Sequence, residues 1–205
     1  MRALFLVILT ILLIGCTLQE AEVNQILVDL DNMGKSLDQL ENLAQRQDFD
    51  GFKQNVELAN VSLENIRAWV DVADERGEDK AFIIRVKNDY EYLSIQFETL
   101  ILNADVVQKL EAAKPYMEEL KQKNVEHLDV AISLMGDILV LIDKISANID
   151  EMEAAADKMT AEDRKLLNSD EALSKMRSFE KDVSQRKGEF QGLKNQLQDI
   201  RKRMN

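Results

Sequence analysis

The strongest constraint on the fold is the spacing of apolar residues, which recur alternately three and four positions apart along most of the chain. One series consists of Leu128, Ala131, Met135, Ile138, Ile142, Ile145 and Ile149. Residues three and four apart lie on one face of an α-helix, so this is the a/d pattern of a coiled coil or helical bundle. Comparable series cover residues 23–44, 49–73, 82–107 and 172–204. The pattern predicts long helices that each bury one face.

Residues that form turns are scarce. The chain has seven glycines and one proline in 205 residues. Sheets, sandwiches and nucleotide-binding α/β folds use glycine and proline in their many turns, so this scarcity favours a few long helices with few connections. We therefore predict an all-α protein, an elongated bundle of four or five long antiparallel helices with coiled-coil-like heptad seams. We expect one bundle domain over residues 16–205.

Breaks in the apolar pattern predict where the helices end. Near 47–51 the series shifts phase over an Asp-rich stretch with a glycine, which predicts a tight turn; the alternative is one continuous helix with a stutter. Residues 76–79 contain a glycine suited to ending a helix and an aspartate suited to starting the next. A turn near 114–115 would place Pro115 in the first turn of a new helix, unless the proline marks a kink. Residues 160–169 are charged and non-periodic, as in a loop or a short capped turn.

Two segments carry specific expectations about packing. Residues 128–149 are apolar on more than one face, which is typical of a helix at the buried centre of a bundle. The residues that widen the apolar face are Leu134, Leu139, Val140 and Leu141. We expect Ile138 and Ile142 to be buried there. Three aspartates interrupt the segment, so it does not read as a membrane span. The narrower seam of residues 172–204 either closes the protein's own bundle or docks a partner helix in trans.

The N-terminus has the form of a secretory signal. One arginine precedes an apolar run from Leu4 to Ile14 that only Thr10 interrupts. A helix of this length reaches about 16 Å, roughly half of a bilayer core, so it is a poor transmembrane span. The run ends in Leu13-Ile14-Gly15-Cys16, which resembles the lipobox of prokaryotic lipoproteins. The alternatives are an uncleaved N-terminal anchor and an ordinary signal with an unrelated cysteine.

The resemblance implies that Cys16 is a lipid attachment site, its thiol joined to a diacylglycerol. It also implies that a dedicated peptidase recognises Leu13, Ile14 and Gly15 and removes residues 1–15 as a signal peptide. Cys16 is the only cysteine, so the chain has no disulfide framework and no thiolate metal site. Two acyl chains, such as palmitate, are enough for stable anchoring. We therefore expect the protein on the extracytoplasmic face of the cell membrane, or in the outer membrane if the cell has one.

The other residue types argue against catalysis. His127 is the only histidine, and Asn124 stands where a Glu-x-x-His di-iron motif needs glutamate, so we expect a surface or seam-edge side chain at 127. The sequence has no glycine-rich phosphate loop. Carboxylate pairs such as Asp29/Asp31 fit a solvated acidic face. We expect no enzyme, no catalytic residue, no metal and no cofactor.

Charge and anchoring together predict the functional class. A net charge of −12 speaks against nucleic acid as a partner. The sequence predicts a lipid-anchored, extracytoplasmic helical protein with a structural or protein-interaction role, as a scaffold or in adhesion. The alternative is a solute-binding or sensor-like helical module with its ligand near residues 128–149. The expected partners are the membrane, through the diacylglycerol, and another protein; the oligomeric state is left open.

Overall fold

The computed structural model describes residues 48–75, 80–121 and 126–204, together with several positions between 25 and 46. Five helices follow one another in this part of the chain: α1 (Phe49–Glu75), α2 (Lys80–Lys121), α3 (Leu128–Lys158), α4 (Ala161–Leu166) and α5 (Ser169–Met204). The described positions between 25 and 46 are also helical, and no strand occurs among the residues described. The predicted all-α bundle is confirmed.

The chain leaves the helical conformation at Asp48, which then starts α1. The backbone N–H of Asp48 donates to the carbonyl of Leu43 at 3.0 Å, and Asp48 Oδ1 accepts from the N–H of Gly51 at 3.0 Å. A Cβ at Gly51 would lie 2.8 Å from Asp48 Oδ2 and 3.1 Å from Leu43 Cδ2, so a larger residue would have to displace the end of the capping Asp48 side chain. The structure thus has a capped break in the 47–51 region. The alternative that the sequence allowed there, one continuous helix, is not observed.

Pro115 lies inside α2, and the turn predicted near 114–115 is wrong. The proline removes the N–H that would bond to the carbonyl four residues earlier. Pro115 is exposed, so water can reach the backbone at this point. After it, Tyr116, Met117 and Leu120 pack against a hydrophobic core, and these contacts continue the helix to Lys121. The turn predicted at 76–79 lies outside the described residues.

The chain forms two compact units. Among the described residues, unit 1 comprises those up to Phe97 together with Glu151–Ala172, and unit 2 comprises those within 98–150 and 173–204. Helices α2, α3 and α5 each contribute residues to both units. The predicted single domain begins at residue 16, outside the described residues, and its extent stays a prediction. In unit 1 a small core joins α1 to α2 through the buried residues Val70, Ala73 and Ile83, with Trp69 and Val86 packed against them.

Helix α3 buries its predicted seam. All seven seam residues between 128 and 149 are buried, and Ile138 and Ile142 lie at its centre, as predicted. In unit 2 the seam packs against α2 and α5. The three aspartates of this segment lie outside the seam, on the exposed side of α3. One of them, Asp137, accepts a hydrogen bond from Lys109 Nζ of α2 at 2.8 Å. The predicted widening of this face is confirmed at Leu139, which is buried, and is wrong at Val140, which is 56% exposed. Helix α3 is therefore amphipathic, with one buried face.

Helix α5 runs antiparallel to α3, because later residues of one pair with earlier residues of the other. In unit 2, Asp129 pairs with Arg201 at 3.0 Å and Asp143 pairs with Lys187. Between these two ion pairs the apolar seam of α5 packs into the core through Phe190, Leu193 and Leu197, and Val183 continues the seam one turn before Lys187. This part of the seam closes the protein's own unit. Of the two alternatives that the sequence left open, closure of the bundle is therefore the one observed here, and docking of a partner helix is not.

Candidate functional site

The most unusual chemistry in the described chain lies where α3, α4 and α5 meet. We call residues 158–170 the α4 corner. Helix α4 is six residues long and is capped by Thr160, whose Oγ1 accepts from the N–H of Asp163 at 3.2 Å and donates to Asp163 Oδ2 at 2.6 Å. The short capped turn, one of two alternatives for 160–169, is the one observed. Asn168 adopts a left-handed φ of 51°, a conformation that asparagine tolerates, and this lets α5 begin at once.

Asp163 is held by an arginine from a distant part of the chain. The aspartate is 2% exposed. Arg85 of α2 donates to it through two nitrogens, Nε to Oδ2 at 2.7 Å and Nη2 to Oδ1. This bidentate hydrogen bond raises the pKa of Arg85, so the guanidinium stays charged. Arg85 Nη2 also lies 3.7 Å from Glu162 Oε2. The pair ties α4 to α2 through a buried charge.

A second carboxylate belongs to the same cluster. Asp89 follows Arg85 by one helical turn, and its Oδ1 is buried with no hydrogen-bond partner. Burial raises the pKa of Asp89 to about 7; the negative charge of Asp163 acts in the same direction and the positive charge of Arg85 acts against it. One guanidinium therefore faces two carboxylates, and Asp89 holds a proton up to neutral pH.

Further contacts bind α2 to the α4 corner. Asn88 Nδ2 donates to the carbonyl of Lys158 at 3.0 Å, and Lys158 Nζ donates to both carboxylate oxygens of Glu91. The fully buried Tyr92 donates its hydroxyl to the carbonyl of Ser169 at 3.3 Å, and burial raises the pKa of this tyrosine. Together with Arg85, one face of α2 therefore holds both ends of the corner.

The residues singled out from the sequence lie elsewhere. His127 is partly exposed in unit 2, as predicted, and its Nδ1 lies 2.8 Å from Glu119 Oε2, a hydrogen bond that raises the pKa of the histidine. Its ring centroid lies 5.4 Å from that of Tyr116. Asp29 is buried and accepts from Asn65 Nδ2 at 3.3 Å, so the solvated face expected at Asp29 is wrong. The lipobox residues 13–16 lie outside the described residues.

The sequence interpretation missed the buried cluster. Thr160 and Asp163 have the three-residue spacing of a helix cap, which accounts for the local turn. Arg85 is 78 residues from Asp163, and no local pattern indicates that the two side chains meet. The cluster contains no cysteine or histidine, and over the described residues no group of three or more histidine, cysteine, aspartate or glutamate side chains could hold a metal ion. The residues of the cluster support charge pairing and proton binding.

Comparisons of the chain with family models, with curated proteins and with solved structures found no match. Across the part of the chain that the structure describes, no helix is both long enough and apolar enough to cross a membrane. Function must therefore be inferred from the residues and their geometry.

Proposed function

We propose that the protein is a lipid-anchored, extracytoplasmic helical protein with a structural or protein-interaction role. The observation that carries the proposal is the sequence Leu13-Ile14-Gly15-Cys16, which follows an apolar run and contains the only cysteine of the chain. A thiol placed at the end of a signal-like segment is available for acylation, and two acyl chains anchor a protein stably. On this proposal the membrane is the first partner.

The packing of unit 2 supports an interaction role over solute binding. The seam of residues 128–149 meets apolar side chains of α2 and α5, including Leu110, Phe190 and Leu193. Ile138, at the centre of this segment, is 0% exposed. A solute site needs convergent polar groups around a cavity. Here the side chains that pack against the seam are mainly apolar, which favours recognition through the outer helical surface.

Helix α1 offers the apolar surface on which we place this interaction. Leu58 and Val61 are one helical turn apart and are 63% and 61% exposed. Val72 lies on the same face three turns beyond Val61 and is also exposed. Single exposed hydrophobic residues are common, but three on one helical face are typical of a surface that a second protein covers. We propose a protein partner with an apolar helical face for this surface.

Lipid attachment gives a direct test of anchoring. In cells grown with labelled fatty acid, the full chain is expected to incorporate label and to lose residues 1–15. The Cys16→Ser variant should incorporate none and keep its signal peptide, because serine offers no thiol for the diacylglycerol. Gel fluorography and N-terminal mass spectrometry measure both results. The control is Thr17→Ser, which leaves the cysteine in place. Label retained in Cys16→Ser would refute the anchor.

Site-specific photo-crosslinking tests the interaction role separately. With a crosslinker at Val61, cells should yield one defined protein adduct, which mass spectrometry identifies. Leu58→Asp, on the same face, should reduce this adduct at least about tenfold, because a charge in a buried contact costs more than 1.4 kcal/mol. Arg67→Gln, at a 59% exposed position about 120° around α1 from Val61, should leave it unchanged. An adduct equally strong in the Leu58→Asp variant would argue against this surface.

A further inference from the structure

We propose that the α4 corner is a proton-controlled latch, held on α2 while the Asp89–Asp163–Arg85 cluster keeps its extra proton and released when that proton leaves. The cluster combines two carboxylates and one guanidinium in a largely buried setting. The inference is independent of lipid anchoring and of the proposed partner, because it concerns contacts within unit 1 alone.

The geometry shows why the cluster needs a proton. Arg85 donates through Nε and Nη2 to the two oxygens of Asp163, so these two donors are not available to Asp89. Asp89 Oδ1 is buried and accepts no hydrogen bond. An ionised carboxylate in such a position lacks the donors that would replace water, whereas the neutral acid costs much less to bury. The closed corner therefore favours protonated Asp89 over ionised Asp89.

Loss of the proton acts on the contact that holds α4. An ionised Asp89 repels Asp163 and competes for Arg85, which weakens the buried pair between α2 and α4. The other charged groups around the cluster do not compensate. Glu162 of α4 adds a further negative charge beside Arg85. On α3, Lys158 is paired with Glu91.

A further cation at the corner, Arg164, is also engaged in ion pairs. Arg164 of α4 pairs with Asp170 of α5 at 2.7 Å and lies 3.5 Å from Asp157 of α3. A helix of six residues has little stability of its own, because most of a helix's stability comes from tertiary packing. The corner is therefore the part of unit 1 that opens first when the Arg85–Asp163 pair weakens.

The direction of the pH effect follows from linkage. The pKa of Asp89 is raised from 3.8 to about 7 in the folded protein, so the closed corner binds more protons than the open one between these values. The closed state is favoured most at low pH and loses this advantage as the pH rises through 7. Between pH 6 and pH 8, the opening equilibrium should increase about tenfold.

Hydrogen exchange on the full chain tests the latch. Amide protection factors, corrected for the intrinsic pH dependence of exchange, should fall about tenfold from pH 6 to pH 8 in residues 160–170. Protection in α3 between 131 and 145 should change much less. Asp89→Asn carries a neutral side chain of nearly the same shape, so its corner should keep at pH 8 the protection that it has at pH 6.

The control variant is Glu162→Gln, which removes an exposed carboxylate near Arg85 and should leave the pH dependence in place. Circular dichroism at pH 6 verifies that each variant is folded, and Asp89→Ser is a second neutral variant if Asp89→Asn fails to fold. Equal protection of the corner at both pH values in the unaltered chain would overturn the proposal. A fall that persists in the neutral variants would overturn it as well.

Discussion

Replacing Arg85 with methionine is expected to lower the free energy of unfolding of unit 1 by about 3–5 kcal/mol at pH 7, because it leaves the buried Asp163 carboxylate without its cation. Methionine keeps the apolar stem but supplies no donor. The Arg85 side chain is 26% exposed, so water can reach the site and partly solvate Asp163 in the variant. We therefore expect a loss of stability near the lower end of this range. Urea denaturation followed by circular dichroism, together with proteolysis of the α4 corner, measures it.

The matched control is Arg67→Met in α1. Arg67 is 59% exposed and lies 3.9 Å from an equally exposed glutamate, so its loss should cost less than about 0.5 kcal/mol. A double variant, Arg85→Met with Asp163→Leu, removes both charges and should recover much of the lost stability. If Arg85→Met and Arg67→Met have the same small effect, the buried pair does not hold the corner.

The second large effect is expected in the core of unit 2. Ile138→Ala should destabilise the protein by about 2–5 kcal/mol, because the side chain is fully buried among α2, α3 and α5 and its removal leaves a cavity. Val140→Ala, two residues away on the exposed face, should change the stability by less than about 0.5 kcal/mol. Thermal and urea unfolding of both variants give the comparison. Equal losses would contradict the packing of α3 described above.

Secondary structure was the part of the fold that the sequence predicted well. The alternation of three and four residues identified α3 and its buried seam, including Ile138 and Ile142, and its series over 172–204 lies within α5. This succeeds because helical periodicity is a local property, set by which residues share one face of a helix. The phase break near Asp48 was readable for the same reason, since it arises from consecutive residues.

Pro115 shows where local reasoning left two alternatives open, a helix start and a kink within one helix. A proline favours a helix start or a break when only its missing N–H is considered. In the structure, the side chains that follow it pack into the core of unit 2, and their burial outweighs one lost backbone hydrogen bond. The tertiary contacts, which the sequence does not reveal, decided that α2 continues.

The sequence by itself determined the helical class, the faces that are buried and the lipobox-like segment, whose function stays a prediction. Only the tertiary structure decided that the seam of α5 closes its own unit through residues such as Phe190, and that Arg85 reaches Asp163. The physical reason is that a stripe of apolar residues shows which face of a helix is buried, but it does not show which other surface covers that face. A buried charge likewise requires a counter-charge from any part of the chain, and only the packing of α2 against α4 brings that partner within hydrogen-bond distance.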